Sequence, residues 1–249
     1  MQLIAGMPLV GGVGSAAFAR ERSLIGDLIA EARTLPLAAE RISFISRSLL
    51  GVRYQANTLI GGPRHSEVFV VRDDAFDCVT FCEVVLAAAL ARDFAEFETS
   101  LRRMRYRHGD VKWEERNHYF ADWTRRAVDN NVCRPVLMQP SVTIQKRVRW
   151  HNLGTRQVSL TVIPRATLMA NKNLLLDGDL IGFVSRRPNL DFFHAGLIAF
   201  GSGRELMLRH ASRRRGRVVD ERMSAFVALS GVRYVTVLRA AEPAAADDG

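Results

Sequence analysis

The chain has 249 residues, 48% hydrophobic and 24% charged, enough to bury a sizeable core without disulfide or metal staples and enough for one large domain or at most two. These proportions exclude the disordered, collagen-like and coiled-coil classes. Lys and Arg number 35 against 26 Asp and Glu, a net charge of +9, which favours anionic partners such as nucleic acid, anionic lipid or acidic cell-wall polymer without choosing among them.

Residues Met1 to Ala19 carry no charge and end in Ala17-Phe18-Ala19 before Arg20, the small-x-small pattern of a signal-peptidase site, but without a basic n-region. Residues 1–21 therefore read as a signal-peptide remnant or a flexible tail. The expected location is the periplasm or cell envelope, with the cytoplasm as the alternative. Beyond that stretch no uncharged apolar run reaches 18 residues, so no membrane span is expected in the body of the chain.

Apolar residues at helical spacing predict helices from Leu24 to Ile29 and from Ala38 to Leu50. Gly61-Gly62-Pro63 marks a loop and Phe69-Val70-Val71 a short extended piece. The carboxylates between Asp73 and Asp77 can cap a helix that starts at Cys78. From Cys78 to Leu90 the side chains are apolar all round except Thr80 and Glu83, as in a buried central helix. Further helices are expected over Glu96 to Arg103 and Glu114 to Asn130.

After Pro140 the pattern changes to short β-branched and aromatic runs: Val142 to Trp150, Gln157 to Ile163, Leu180 to Val184, Ala195 to Phe200, Leu206 to Leu208 and Tyr234 to Leu238. Helices first and strands afterwards predict an α+β fold with an antiparallel sheet. One domain is expected over residues 22–239, followed by a frayed tail over 240–249.

Cys78, Cys82 and Cys133 are too few for a disulfide framework, and without a CxxC pair a structural zinc site has no support. No metal or organic cofactor is expected. Cys78 stands in the first turn of its helix, where the partial positive charge of a helix N-terminus favours a thiolate. A thiol nucleophile also needs a base. His194 starts one strand beside Gly196, a residue that allows close backbone approach, and His210 ends the next, with Gly201-Ser202-Gly203 as the turn between them. On antiparallel neighbours the two imidazoles can lie side by side, one as base and one orienting it.

Glu83, a charge within an apolar helix, needs a partner, for which Arg105 and Arg107 are candidates. Arg116-Asn117-His118-Tyr119 and Asp122-Trp123 would place donors, an acceptor and aromatic surfaces on about two helical turns, as a polar peptide or sugar site requires. The run Arg213-Arg214-Arg215-Gly216-Arg217 would bring positive charge near His210 and attract substrate carboxylates.

Eight segments in order carry a resemblance: Leu50-Gly51-Val52-Arg53-Tyr54, Phe76-Asp77-Cys78-Val79-Thr80-Phe81, Arg105 to Gly109, Arg116 to Trp123, Ile163-Pro164, Asp177 to Phe183, Leu190 to Gly196 and His210-Ala211-Ser212. From about Ile42 to Val219 the chain resembles the N-acetylmuramoyl-L-alanine amidase-like family, a branch of the NlpC-type papain-fold cysteine peptidases. The resemblance implies a papain-like fold, with the helix that bears the cysteine packed on an antiparallel sheet or half-barrel. It implies a cysteine hydrolase acting on an amide bond of peptidoglycan, either muramyl-L-alanine or one within the stem peptide, through a thioester.

Its motifs map onto Cys78 as nucleophile, His194 as base and His210 as the orienting residue, with Tyr54 near the reacting carbonyl. Arg105, Tyr106, Asn117, His118, Tyr119, Asp122 and Trp123 are the further candidates for binding substrate. Cys82 departs from the family pattern, which more often has an aliphatic residue there. Peptidoglycan or its stem-peptide fragments are the expected partner. The competing readings are a lipid acyl hydrolase or transferase on the same thiol machinery, and a non-catalytic basic domain that binds nucleic acid or cell wall. Against the nucleic-acid reading, the basic residues are scattered and no zinc-finger, helix-turn-helix or RNA-binding signature is found.

Overall fold

The computed structural model describes residues 24–150 and 154–242. The expected signal remnant over 1–21 lies outside them, as does all of the expected tail after Glu242. The helical half contains α1 (Leu24–Ala32), α2 (Ala38–Ser48), β1 (Arg53–Tyr54), β2 (Ile60–Gly62), β3 (His65–Val68), β4 (Ala75–Phe76), α3 (Cys78–Leu90), α4 (Phe94–Arg105) and α5 (Phe120–Asp129). There follow β5 (Cys133–Pro135), β6 (Val142–Trp150), β7 (Gly154–Pro164), α6 (Arg165–Ala170), β8 (Leu180–Val184), β9 (Phe192–Phe200), β10 (Leu206–Ser212), β11 (Arg217–Arg222), α7 (Met223–Ser230) and β12 (Tyr234–Ala240).

Ten strands form one curled, half-barrel sheet in the order β4-β1-β11-β10-β9-β8-β12-β7-β6, with β5 paired to the end of β12. Every pairing in it is antiparallel except β1 with β4. The expected α+β class is therefore present. On one side of the sheet, helices α1 to α5 close a core around Ile29, Ile42, Phe81, Val85, Phe97, Leu101 and Trp123. On the other side a smaller core gathers Leu168, Ile181, Phe183, Leu208, Met223 and Val235 under α6 and α7. Strands such as β8 are buried on both faces, which is why they read as unbroken apolar runs.

Several elements differ from the expectation. The helix expected over Glu114 to Asn130 is confined to α5. Trp113–Glu115 is a single 3-10 turn, Arg116 pairs with Tyr106 in an isolated bridge, and Tyr119 is extended at φ −122° and ψ 139°. The extended piece expected at Phe69 to Val71 is replaced by a hairpin of β2 and β3 just before it. Strand β11 and helix α7 were not read from the sequence. Ala240 to Glu242, expected in the frayed tail, are held: Ala241 N–H donates to the Val132 carbonyl at 2.9 Å, and the Glu242 carboxylate accepts from Ala38 N–H at 2.9 Å.

Candidate active site

Helix α3 begins where the sequence places it, for a local reason. Asp77, extended at its N-cap, accepts from the Val79 and Thr80 N–H groups at 3.0 and 2.8 Å through Oδ1, and the Thr80 hydroxyl accepts from Asp77 N–H at 3.0 Å. This reciprocal cap fixes Cys78 as the first residue of the helix. Just before it, β4 lies beside β1, which sets Tyr54 opposite Phe76. Tyr54 thereby comes close enough to Cys78 that the thiol and the Asp77 carboxylate, after burial, push the phenol upward, while Arg213 pulls it down.

The other half of the site comes from the sheet. The β9–β10 ladder runs from Leu206↔Phe200 to Arg209↔Leu197 and stops there. Beyond that point Ala195 directs its N–H at the Cys78 sulfur. His194, the residue before it, pairs with Phe183 on β8. Its Nε2 lies 2.6 Å from Nδ1 of His210 on β10, with the rings perpendicular and their centroids 4.8 Å apart. The close approach depends on Gly196: a Cβ there would meet Leu208 Cδ1 at 2.7 Å, the Arg209 carbonyl at 2.9 Å and His210 Cβ at 3.0 Å. The structure thus sets Tyr54 and the Ala195 N–H at Cys78, and separately joins His194 to His210.

Burial governs the electrostatics. Burial, then the Asp77 carboxylate, pushes the Cys78 thiol up to about 11, against the N–H groups of Ala195, Cys78 and Val79, which favour a thiolate. Burial, then His210, pushes His194 down to about 3. Burial also lowers His210, opposed by Glu221. Burial thus favours the neutral forms of the Cys78 thiol and of both imidazoles, so that the thiol gives up its proton as it reacts. The helix-start argument alone suggested a ready thiolate; desolvation outweighs it here.

An aromatic enclosure surrounds the histidines and was not foreseen. The Phe226 ring of α7 lies 5.4 Å from the His194 ring and 5.6 Å from the His210 ring, and also packs on Phe183 and Phe193. Phe193 remains 38% exposed beside them, an apolar edge at the site. Glu221 of β11 was also missed: its Oε2 lies 3.3 Å from His210 Nε2. The sequence signal for it was weak, because Arg217-Val218-Val219-Asp220-Glu221-Arg222 reads as a charged loop.

The remaining candidates have other engagements. Arg105 donates from Nε to Glu83 at 2.9 Å and from Nη1 to the Val70 carbonyl at 2.5 Å, so of the two partners foreseen for Glu83 it is Arg105 that pairs. The Tyr106 hydroxyl donates to Glu67 Oε1 at 2.8 Å, an oxygen shared with Arg116 at 3.0 Å. Asn117 donates to the Met104 carbonyl at 2.7 Å, and His118 Nε2 lies 2.7 Å from the Trp113 carbonyl. Asp122 is bound to Arg156 and, at 3.3 Å, to Arg125. Trp123 is 2% exposed and stacks on Phe120, while Tyr119 packs near the Arg156 guanidinium, 5.9 Å away.

Arg116, Asn117, His118, Tyr119, Asp122 and Trp123 do not form the two-turn helical face expected of them, because the helix begins only at Phe120. They fasten the β2–β3 hairpin, α4, α5 and the β6–β7 ribbon to one another. A cavity of about 990 Å³ lies between α4 and α5 against Arg103, Trp123 and Arg126, and neither Cys78 nor the two histidines line it. Among the described residues no cluster of His, Cys, Asp and Glu is arranged to hold a metal, and no helix is long and apolar enough to cross a membrane.

The family model AmiA-like, described as N-acetylmuramoyl-L-alanine amidase-like, matches residues 44–231. A solved structure named as an N-acetylmuramoyl-L-alanine amidase from Bacteroides uniformis is similar at a TM-score of 0.72 and 25% identity, over 82% of this chain and 99% of that one. Protein LPG0564 from Legionella pneumophila, at 20% identity, shares the fold with a TM-score of 0.76 over 88% of this chain and 94% of its own. A search of curated proteins found no matching relative.

Proposed function

Because the chain belongs to the AmiA-like, N-acetylmuramoyl-L-alanine amidase-like family, we propose that it is a cysteine amidase of peptidoglycan that cuts the amide bond between the muramic acid lactyl group and L-alanine. The observation that carries the cysteine mechanism is the meeting of the first residue of α3 with the split between β9 and β10. There the Ala195 N–H faces the Cys78 sulfur, and His194, next in the chain, is hydrogen-bonded to His210. A helix-start cysteine followed by two strand histidines also supports the NlpC-type, papain-like kinship.

In the reaction, the Cys78 S–H bond breaks, its proton passes to His194, and the sulfur bonds to the carbonyl carbon as the carbonyl electrons move to oxygen. The Cys78 N–H and the Tyr54 hydroxyl are the donors offered to that oxyanion. On collapse the C–N bond breaks, and the proton held by His194 goes to the leaving amine of L-alanine. Water, giving a proton to the neutral His194, then bonds to the thioester carbonyl carbon; the C–S bond breaks, the proton on His194 returns to the Cys78 sulfur, and the muramic carboxyl group is released. Arg213, the cation that acts on Tyr54, is placed to attract the carboxylates of the departing peptide. On this reading the protein works in the cell envelope, where the polymer is.

The test is mass spectrometry of the soluble fragments that the protein and its Cys78→Ala variant release from purified peptidoglycan. Peptides beginning with a free L-alanine amine, made by the wild type alone, are the expected result. Fragments cut within the stem peptide would keep the cysteine mechanism and move the bond. Equal release by Cys78→Ala would refute the mechanism.

A further inference from the structure

The two histidines do not end the chain of polar contacts. Three neighbouring strands, β9, β10 and β11, carry His194, His210 and Glu221 in a row, because β10 pairs with β11 in a register that sets His210 opposite Val219 and Leu208 opposite Glu221. Glu221 is therefore the diagonal neighbour of His210, within side-chain reach. His210 Nδ1 is 2.6 Å from His194 Nε2, and His210 Nε2 is 3.3 Å from Glu221 Oε2. The other carboxylate oxygen, Oε1, accepts from Arg214 Nη2 at 2.5 Å. Arg214 lies in the β10–β11 turn, so the guanidinium that orients Glu221 comes from the same hairpin.

We propose that Glu221 is a positioning residue that fixes the tautomers of both histidines and so leaves His194 Nδ1 free as the base for Cys78. This role rests on the reading of Cys78 as nucleophile, whereas the tautomers of the two histidines do not depend on it. An ionised carboxylate only accepts hydrogen bonds. Against the Glu221 carboxylate, an ion-pair contact at 3.3 Å that is not aligned as a hydrogen bond, His210 takes its proton on Nε2. A neutral imidazole has one donor and one acceptor, so His210 Nδ1 accepts, and the 2.6 Å contact is then a donation from His194 Nε2. His194 is left with an unprotonated Nδ1. When the thiol proton moves there, the imidazolium charge is drawn toward Glu221 through His210, beside the rings of Phe183, Phe193 and Phe226.

The charged and titratable groups around His210 are His194 on β9, Glu221 and Asp220 on β11, and Arg214 in the turn. Asp220 is paired with Arg209, whose Nε and Nη2 reach its two oxygens at 2.7 Å each. Glu221 is thus the carboxylate in contact with His210, and removing its charge makes the linked imidazoles less basic.

The test compares wild type, Glu221→Gln, Glu221→Asp and Cys78→Ala on muramoyl-peptide fragments of purified peptidoglycan, with 15N NMR of the imidazole tautomers. For Glu221→Gln the expected result is a fall in kcat of about 10- to 100-fold with KM little changed, as for loss of other orienting partners of a histidine. The acid limb of kcat/KM shifts to lower pH, and Glu221→Asp restores part of both. In the wild-type NMR spectra both histidines carry hydrogen on Nε2. His210 protonated on Nδ1 in the wild type, or a loss of kcat in Glu221→Gln without movement of the acid limb, would overturn the proposal. If Glu221→Gln does not fold, the wild-type tautomer still decides. Activity persisting in Cys78→Ala would defeat the reading of the nucleophile and leave the tautomer result standing.

Discussion

Replacing Arg105 with methionine separates a structural role from a substrate-binding one. Glu83 and Arg105 are 3% and 2% exposed, joined at 2.9 Å, and the arginine also holds the Val70 carbonyl. Burial outweighs the attraction of Arg105 and keeps the Glu83 carboxyl above its usual range, so the pair contributes little net stability while each member depends on the other. Arg105→Met leaves a buried carboxylate unpaired, and the expected loss is about 3–5 kcal/mol in denaturant unfolding at pH 7.

The double variant Glu83→Leu/Arg105→Met removes both charges and recovers most of that loss. The pH dependence is a second signature. In the single variant Glu83 escapes its penalty by taking a proton. Its folded pKa then lies further above the unfolded value, so its stability is greatest below the unfolded carboxyl value near 4.3 and is lost as pH rises. The gap to wild type should accordingly shrink by up to about 1.4 kcal/mol per pH unit as pH falls from 7 toward that value. A loss below about 1 kcal/mol, or unchanged stability with a raised KM, would refute the reasoning and return Arg105 to the substrate.

Gly196→Ala should cost about 1–3 kcal/mol by overpacking, and, by displacing His210, should reduce turnover more than its effect on melting accounts for; wild-type kinetics would contradict the role given to that glycine. His194, held near 3 in the fold against about 6.5 unfolded, binds its proton more readily in the unfolded chain. Stability is then lost as pH falls below 6.5, by up to about 1.4 kcal/mol per unit for this group, and His194→Gln should flatten that slope in unfolding measured from pH 7 to 4. With the thiol near 11, alkylation of Cys78 by iodoacetamide should keep rising with pH through 9; a plateau reached by pH 6 would indicate a resting thiolate instead. Asp191 Oδ2 accepts from Ala121 N–H at 2.7 Å, in the first turn of α5, so Asp191→Ala should lower stability by about 1–2 kcal/mol in a thermal melt.

What could be read from the sequence followed how many physical constraints met at one residue. Cys78 to Leu90 was plain because an acidic cap and an unbroken apolar run agree. The His194 and His210 hairpin was plain because Gly196 and the Gly201 to Gly203 turn punctuate two apolar strands. Arg116 to Trp123 misled because its polar residues fit a solvated helix as well as an extended segment, and only the bridge of Arg116 to Tyr106 and the bonds from Glu67 decide between them. Strand β11 was hidden for a related reason. It carries charge on both faces, with Asp220 turned to Arg209 and Glu221 to Arg214 and His210, so it lacks the apolar alternation by which strands are recognised. The aromatic enclosure depends on α7 packing back over β10, a tertiary contact with no local signature.

The most direct test of the account is to trap the acyl-enzyme: mix the protein with muramoyl-peptide fragments, quench in acid within a turnover, and map the adduct by mass spectrometry of its peptides. The account predicts a thioester-linked muramoyl group on Cys78, absent after hydroxylamine treatment and absent in Cys78→Ala, which should also be inactive. A covalent adduct on another residue, or full turnover by Cys78→Ala, would contradict it.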